Sequence, residues 1–515
     1  MQLHKWQSEC LDRWEQNAFR GIINAVTGSG KTVLALSAIS HLEEKEMRDL
    51  RVKIVVPQTF LASQWKNEIR RQLGVPSTDI GVYSGKRKEH TKKYMIYVIN
   101  SARYSLARHI LTDLNNGNAI LLIADECHHY GSVENNRIFD FYNAIEAESP
   151  YYAMGLSATP EIADFRSIAI PLGQEIYSYD LKRALYDKII SRFVLFNIKL
   201  NFSPSEREKY ELFSLDIFKC LASLRRRRPD LVGLRSGVFF AKLQKLTNED
   251  GDCAQLAQTA LALMHSRRTL CHMARERSEC AIQIVKSLPP KSRIILFCER
   301  IQAATLLHTE LSGLFNEQVG LYHSQMVENS RKTMLEQYEQ GSLRILICCK
   351  ALDEGLNIPS TDVGIIVSTS MSARQRVQRI GRMLRFSKEI KRIYFLHIAE
   401  SSEDVELSLG LSALESSVPL IALHYKEQAF VHPEYERLRR IVIDFVQERK
   451  RDKKLISVLK QNINLALLRG DFLVNETTCA ENIQKSTSNT ERNYWISVLY
   501  IIHARLGKLA SDNPR

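Results

Sequence analysis

The stretch Ala25 to Thr32, AVTGSGKT, holds residue types that can bind a polyphosphate. It follows a short apolar run (Ile22, Ile23) and leads into an amphipathic segment, Val33, Leu34, Leu36 and Ile39. That order predicts a strand, a glycine-rich turn and a helix. Gly28 and Gly30 let the backbone turn so that several N–H groups face inward on the phosphates, with Thr27 and Ser29 completing the loop. Lys31 supplies a point charge to the β and γ phosphates, and the Thr32 hydroxyl is placed for Mg²⁺. The new helix adds its positive N-terminal end. Ala25 stands where the pattern GxxxxGK[ST] has its first glycine.

A second cluster, Asp125-Glu126-Cys127-His128, ends the apolar run AILLIA. Adjacent carboxylates at a strand terminus can divide two jobs. Asp125 can hold Mg²⁺, directly or through water, while Glu126 orients and deprotonates an attacking water. Further on, QRVQRIGRMLR runs from Gln375 to Arg385. On a helix Gln378, Arg382 and Arg385 share a face, and a planar, always-charged fork suits a developing phosphoryl charge. Near the start, Gln7 has two readings: a surface polar residue, or a two-faced amide that reads the edge of an adenine.

The elements that must position these groups follow from apolar periodicity. Runs at Ile54–Val56, Ile96–Ile99, Ile120–Ala124 and Tyr152–Leu156 resemble buried parallel strands, with helix-length segments between them. Ligands of such sheets collect at the carboxyl ends of strands. Each polar cluster lies at such an end: Pro57-Gln58-Thr59, Asn100-Ser101, Asp125-Glu126 and Ser157-Ala158-Thr159. From about residue 200 the pattern turns helical, opened by a capping box with Pro204 at its first position (Ser203 to Glu206) and closed by Pro289-Pro290. Within it, Arg225 to Arg228 can either touch a phosphate backbone or form a solvated face. Apolar runs return at Ile294–Phe297, Ile345–Cys349, Val363–Val367 and Ile393–Leu396, which predicts a second parallel α/β unit without a phosphate loop. From about Glu400 onward only helices are expected. One has Leu455, Val458, Leu459, Ile463 and Leu467 on its buried side and stops at Gly470. Arg437 to Lys454 is dense in positive charge.

Length and composition bound the rest. The chain has 515 residues, enough for about three domains of roughly 150 residues. Its formal net charge of +13 suits a polyanionic partner. No apolar run is long enough to span a membrane and the N-terminus has no secretory core, so a cytoplasmic (nucleoid-associated) or nuclear chain is expected. Ten cysteines without CxxC spacing argue against disulfides and zinc; Cys298, Cys348 and Cys349 are expected as buried thiols.

Taken in order, these blocks resemble the superfamily-two helicases and translocases from about Leu3 to His397. The resemblance is greatest to the helicase subunits of type III restriction enzymes and related repair translocases. DECH at Asp125, SATP at Ser157, DEG before Leu356-Asn357-Ile358-Pro359, and QRIGRMLR ending at Arg385 carry it. It implies an α/β fold with two RecA-like parallel-sheet domains: residues 1–200, a helical linker 201–288, a second domain 289–400, and a helical accessory region 401–515. It also implies an ATP-driven motor on nucleic acid, with DNA expected, or else an ATP-gated clamp that recruits an effector in repair or defence. ATP and Mg²⁺ would sit between the domains, with Gln7 reading adenine and Gly355, Asn357, Arg382 and Arg385 acting from the second. His128, Ser157, Thr159 and Gln378 would couple hydrolysis to movement. Pro57, Gln58, Thr59, Asn100 and Ser101 would line the nucleic-acid track, gripping phosphates without reading bases. A protein partner is expected on 401–515.

Overall fold

The computed structural model describes residues 2–85, 87–158, 165–234, 236–349, 361–368, 390–401, 418–449 and 453–509. Two compact units emerge, the first built on the chain up to Arg192 and the second on the chain from Phe193. Among the described residues no helix is long and apolar enough to cross a membrane.

The first unit is a seven-stranded sheet: β1 (Arg20–Ala25), β2 (Leu50–Val56), β3 (Ile80–Tyr83), β4 (Tyr94–Val98), β5 (Ala119–Ala124), β6 (Tyr151–Ser157) and β7 (Glu175–Tyr179). Their order is β3-β4-β2-β5-β6-β1-β7, and every pair is parallel. All six residues of β5 are buried, as the unbroken run AILLIA requires of a strand covered on both faces. The helix α1 (Lys5–Gln16) is anchored by Trp14, whose indole N–H donates to the Ala153 carbonyl at 2.9 Å, and by Trp6, stacked on Tyr179. Helix α2 (Lys31–Lys45) follows β1, and α3 (Thr59–Leu73) follows β2.

Among the described residues the second unit holds an eight-stranded sheet: β8 (Phe193–Leu200), β9 (Ile294–Cys298), β10 (Val319–His323), β11 (Ile345–Cys349), β12 (Val363–Ile366), β13 (Lys391–Ile398), β14 (Leu420–Lys426) and β15 (Ala429–Val431). The order is β10-β11-β9-β12-β13-β8-β14-β15, antiparallel only at the last pair. Two features depart from expectation. Phe193–Leu200, read with the first domain, pairs with β13 and β14 of the second sheet. Leu420–Lys426, read as part of a helical region, is a strand. Its buried Ile421, Leu423 and Tyr425 alternate with more exposed neighbours, the period of a half-covered strand.

Between β8 and β9 lie the helices Pro204–Arg227, Ser236–Leu246, Asp252–Met273 and Arg275–Ser287. The capping box forms: the Ser203 N–H donates to Glu206 Oε2 at 2.9 Å, and Ser203 Oγ accepts from the Glu206 N–H. The arginine run is largely used inside this segment. Arg227 pairs with Asp252 at 2.8 Å, Arg228 with Asp230 and Glu249 at 3.0 and 3.1 Å, and Arg225 lies over the Phe239 ring. Its charges therefore hold the tip of a small helical module around Leu224, Leu231, Phe239 and Leu243.

After β15 come the helices Pro433–Arg449, Lys453–Arg469, Glu476–Lys485 and Asn489–Arg505. Gly470, at φ 69°, ends the second of them as its residue type requires. These helices are bonded to the sheet. Arg392 of β13 donates to the Arg469 carbonyl and to Asp471, Tyr494 OH donates to Asp471 at 2.5 Å, and Tyr394 OH to the Leu468 carbonyl at 3.0 Å. Cys298, Cys348 and Cys349 are buried thiols, as expected.

Candidate active site

The site is built at the carboxyl edge of the first sheet, where β1, β5 and β6 end side by side. Beyond Ala25 the chain turns through Val26–Gly30 and enters α2 at Lys31. Gly28 and Gly30 have φ of 86° and 97°, a region open to glycine at little cost. Ala25 needs no glycine's backbone freedom: it is the last residue of β1, fully buried and without positive φ. Ser29 Oγ donates to the Val26 carbonyl at 2.7 Å and tightens the turn. Lys31 Nζ donates to the Ala25 carbonyl at 3.0 Å.

Gln7 is 1% exposed, which removes the reading of a surface residue. Its Nε2 donates to the Gly30 carbonyl at 3.0 Å and its Oε1 accepts from the His4 N–H at 2.8 Å. The amide thus braces the back of the loop from α1.

Asp125 and Glu126 follow β5. The Asp125 N–H donates to the Val55 carbonyl at 2.9 Å, so the turn is pinned to the end of β2. Asp125 Oδ2 accepts the Trp65 indole N–H at 2.9 Å. The Tyr130 hydroxyl lies between the Asp125 and Val55 carbonyls, at 2.7 and 3.0 Å, and shares its proton between them. Burial and the neighbouring Glu126 carboxylate push the Asp125 carboxyl up to about 6, against the pull of Trp65 and Lys31. A bound cation would reverse that balance.

Glu126 adopts φ 48° and ψ 50°, a left-handed backbone that costs a non-glycine residue about 1–3 kcal/mol and concentrates at functional sites. The twist aims its carboxylate at two groups. Oε1 lies 3.9 Å from Lys31 Nζ, and Oε2 lies 3.4 Å from His128 Nδ1. The same His128 nitrogen is 3.3 Å from Ser157 Oγ at the end of β6. Lys31, Glu126, His128 and Ser157 therefore form one polar chain across the edge of the sheet.

The remaining expected residues fall in two groups. Pro57, Gln58 and Thr59 lie at the end of β2 and the start of α3; Asn100 and Ser101 lie in a single turn after the adjacent β4. Thr59 and Asn100 are exposed, and Arg103 donates to Asn100 Oδ1 at 2.6 Å. This pair of clusters sits on the opposite side of β5 from the phosphate loop. Thr159, Gly355, Asn357, Gln378, Arg382 and Arg385 lie outside the described residues. Two contributors were not read from the sequence. Trp65 and Tyr130 look like core aromatics there, and only their polar atoms show that they support Asp125.

The donor set fits a nucleotide and a hard cation. The Thr27 hydroxyl is buried and has no hydrogen-bond partner among the described residues. A Cβ on Gly30 would stand 2.8 Å from Gln7 Nε2, so the loop is shaped for bare backbone. Asp125 and Thr32 offer the oxygen donors that magnesium prefers.

Residues 1–162 match the family model described as type III restriction enzyme, res subunit, and residues 276–387 match the helicase conserved C-terminal domain. The chain belongs to the superfamily-two helicases. Among similar proteins, the DNA 3'-5' translocase XPB2 of Sulfurisphaera tokodaii is 26% identical over 416 residues, 79% of this chain and 84% of that protein. The putative DNA 3'-5' helicase Rad25 of Halobacterium salinarum is 23% identical over 75% of this chain, which spans 52% of its length. The putative mitochondrial ATP-dependent helicase irc3 of Schizosaccharomyces pombe is 23% identical over 83% of the chain and 62% of its own length. Of solved structures, the Pyrococcus furiosus Hef helicase domain matches with a TM-score of 0.50 at 16% identity, covering 78% of this chain and 97% of that one. Saccharomyces cerevisiae Dbp5 L327V, bound to RNA and ADP BeF3, matches with a TM-score of 0.52 at 14% identity over 85% and 93%. These likenesses show the fold: two RecA-like units. As a superfamily-two helicase the chain is an ATP-hydrolysing enzyme that acts on nucleic acid.

One consequence is testable at the helicase loop itself. Gly30→Ala places a Cβ in left-handed backbone against the Gln7 amide. A penalty of about 1–2 kcal/mol, or roughly ten-fold weaker ATP binding, is expected. Equilibrium titration with a fluorescent ATP analogue reads it directly.

Proposed function

We propose that the chain is an ATP-driven motor on DNA whose hydrolytic groups are Lys31, Asp125 and Glu126. The observation that carries this is the convergence of Lys31 and Glu126, 3.9 Å apart, over a loop of glycines with a spare buried hydroxyl at Thr27. In this reading the loop N–H groups of Thr27 to Thr32 take the phosphate oxygens. Lys31 exchanges the Ala25 carbonyl for the β and γ phosphates. Asp125 and the Thr32 hydroxyl hold Mg²⁺, which supplies neutralising charge to those oxygens. Glu126 orients a water and takes its proton. His128 joins Glu126 to Ser157 and so reports the state of the catalytic carboxylate to the segment after β6. Gln7 holds the loop and offers its second amide proton to the adenine edge. The arginine-finger role of Arg382 and Arg385, the nucleotide contacts of Gly355 and Asn357, and the coupling role of Thr159 and Gln378 belong to the same proposal.

DNA is favoured over RNA by the company the chain keeps. The relatives that match over three quarters of the chain and are named for their nucleic acid are named for DNA, whereas those named for RNA match 41% and 24% of it. The net charge of +13 suits either polymer. Gln58, Thr59, Asn100 and Ser101 offer amide, hydroxyl and backbone groups of the kind that hold phosphates.

The test is ATP hydrolysis measured in parallel with single-stranded DNA, double-stranded DNA and RNA. DNA should stimulate and RNA should not; stimulation by RNA alone would overturn the substrate assignment. Displacement of the third strand of a DNA triplex then separates a motor from a clamp, since only a motor strips it.

A further inference from the structure

Helix α3 connects two places that the proposed function treats separately. Its first residue, Thr59, and its N-cap, Gln58, belong to the expected strand-contacting cluster at the end of β2. In its second turn Trp65, 2% exposed, plants its indole N–H on Asp125 Oδ2 at 2.9 Å. Between and beyond them, Leu61, Ala62 and Ile69 are buried on the same side of the helix, so α3 is seated as a rigid body against the sheet. Core-filling alone does not require a tryptophan here. Phenylalanine or leucine would fill an apolar slot, whereas the indole brings one donor and aims it at a buried carboxylate.

We propose that Trp65 is a positioning residue for Asp125, which couples strand contact at the start of α3 to the metal-holding carboxylate. The inference rests on the assignment of Asp125 to Mg²⁺. The indole occupies one carboxylate oxygen and fixes the plane of the group, leaving the other for the cation, in the manner of outer-shell partners that orient metal ligands. Displacement of the helix start by a bound strand moves the donor with it. The strand and the cation are then linked, and each changes the affinity for the other by the same factor.

The test uses the full chain. Trp65→Phe removes the donor and keeps an aromatic ring in the packed stripe. With Mg²⁺ titrated at saturating ATP and single-stranded DNA, its half-saturating Mg²⁺ concentration should rise about ten-fold, the low end of the effect of outer-shell partners. Single-stranded DNA should lower that concentration in wild type, and the response should be lost in Trp65→Phe. Binding of a fluorescent ATP analogue in EDTA should be equal in the two proteins, an outcome that a merely loosened core would not give. Equal Mg²⁺ dependence in both proteins overturns the inference. A wild-type chain whose nucleotide binding and hydrolysis ignore Mg²⁺ overturns the assignment beneath it instead. If Trp65→Phe does not fold, wild type decides. One of its four indole N–H resonances should move when Mg²⁺ is added to the nucleotide complex, and a spectrum in which none moves overturns the inference.

Discussion

Glu126→Gln should lower DNA-stimulated ATP hydrolysis by about 10²–10⁴-fold, the range for loss of a positioned general base, while nucleotide remains bound. The amide keeps the size and hydrogen-bonding reach of the carboxylate but cannot accept a proton from water. Its neighbours make the substitution selective. Lys31 loses a counter-charge at 3.9 Å and is freer to serve the phosphates, and Asp125 loses the adjacent negative charge that helps to raise its carboxyl to about 6. Both changes favour an ATP-bound, unhydrolysed state. Single-turnover hydrolysis and equilibrium nucleotide binding, measured on one preparation, test the two halves. Turnover within three-fold of wild type would remove Glu126 from its role.

The second large effect concerns stability. Asp471 is 6% exposed and accepts from Arg392 and from Tyr494 OH. Asp471→Ala leaves the Arg392 guanidinium buried without its counter-charge, which should cost about 3–5 kcal/mol. The midpoint of the transition belonging to the second unit should fall by roughly 2–4 °C per kcal/mol. Pairing Asp471→Ala with Arg392→Met should recover most of the loss, because no unpaired charge then remains. Calorimetry of the two single variants and the double variant gives the coupling directly.

How much of this was legible in the sequence depends on the kind of signal. AVTGSGKT and the carboxylates after AILLIA could be read because backbone freedom, charge and strand ends each require particular residue types. Ser203-Pro204-Ser205-Glu206 was readable for the same reason, and the capping box forms. Short strands were not. Val319–His323 is five residues long and includes a glycine and a histidine, while Ile80–Tyr83 has four, too few to establish a period. Leu420–Lys426 is built of leucine and alanine as much as of strand formers, and only its neighbours β8 and β15 make it a strand. Among site residues, Gln7 was undecided because burial cannot be seen from one polar side chain in a helix. Trp65 was not singled out, because apolar periodicity records a ring and not its N–H. Arg225 to Arg228 invited a polyanion, yet three of them are engaged by the Phe239 ring and by the carboxylates of Asp252, Asp230 and Glu249, partners that lie up to 25 positions away.

The place of β8 in the second sheet also bears on how the chain is made. β8 is synthesised before every other strand of that sheet, yet its two partners are β13 and β14, near the far end of the same unit. While the ribosome works through the intervening helices and the strands β9 to β12, Phe193–Leu200 leaves the exit tunnel as an apolar ribbon with both edges bare. Such a ribbon invites pairing with other nascent chains. Efficient production of this protein should therefore depend on a holdase chaperone that occupies this segment until Lys391–Ile398 emerges.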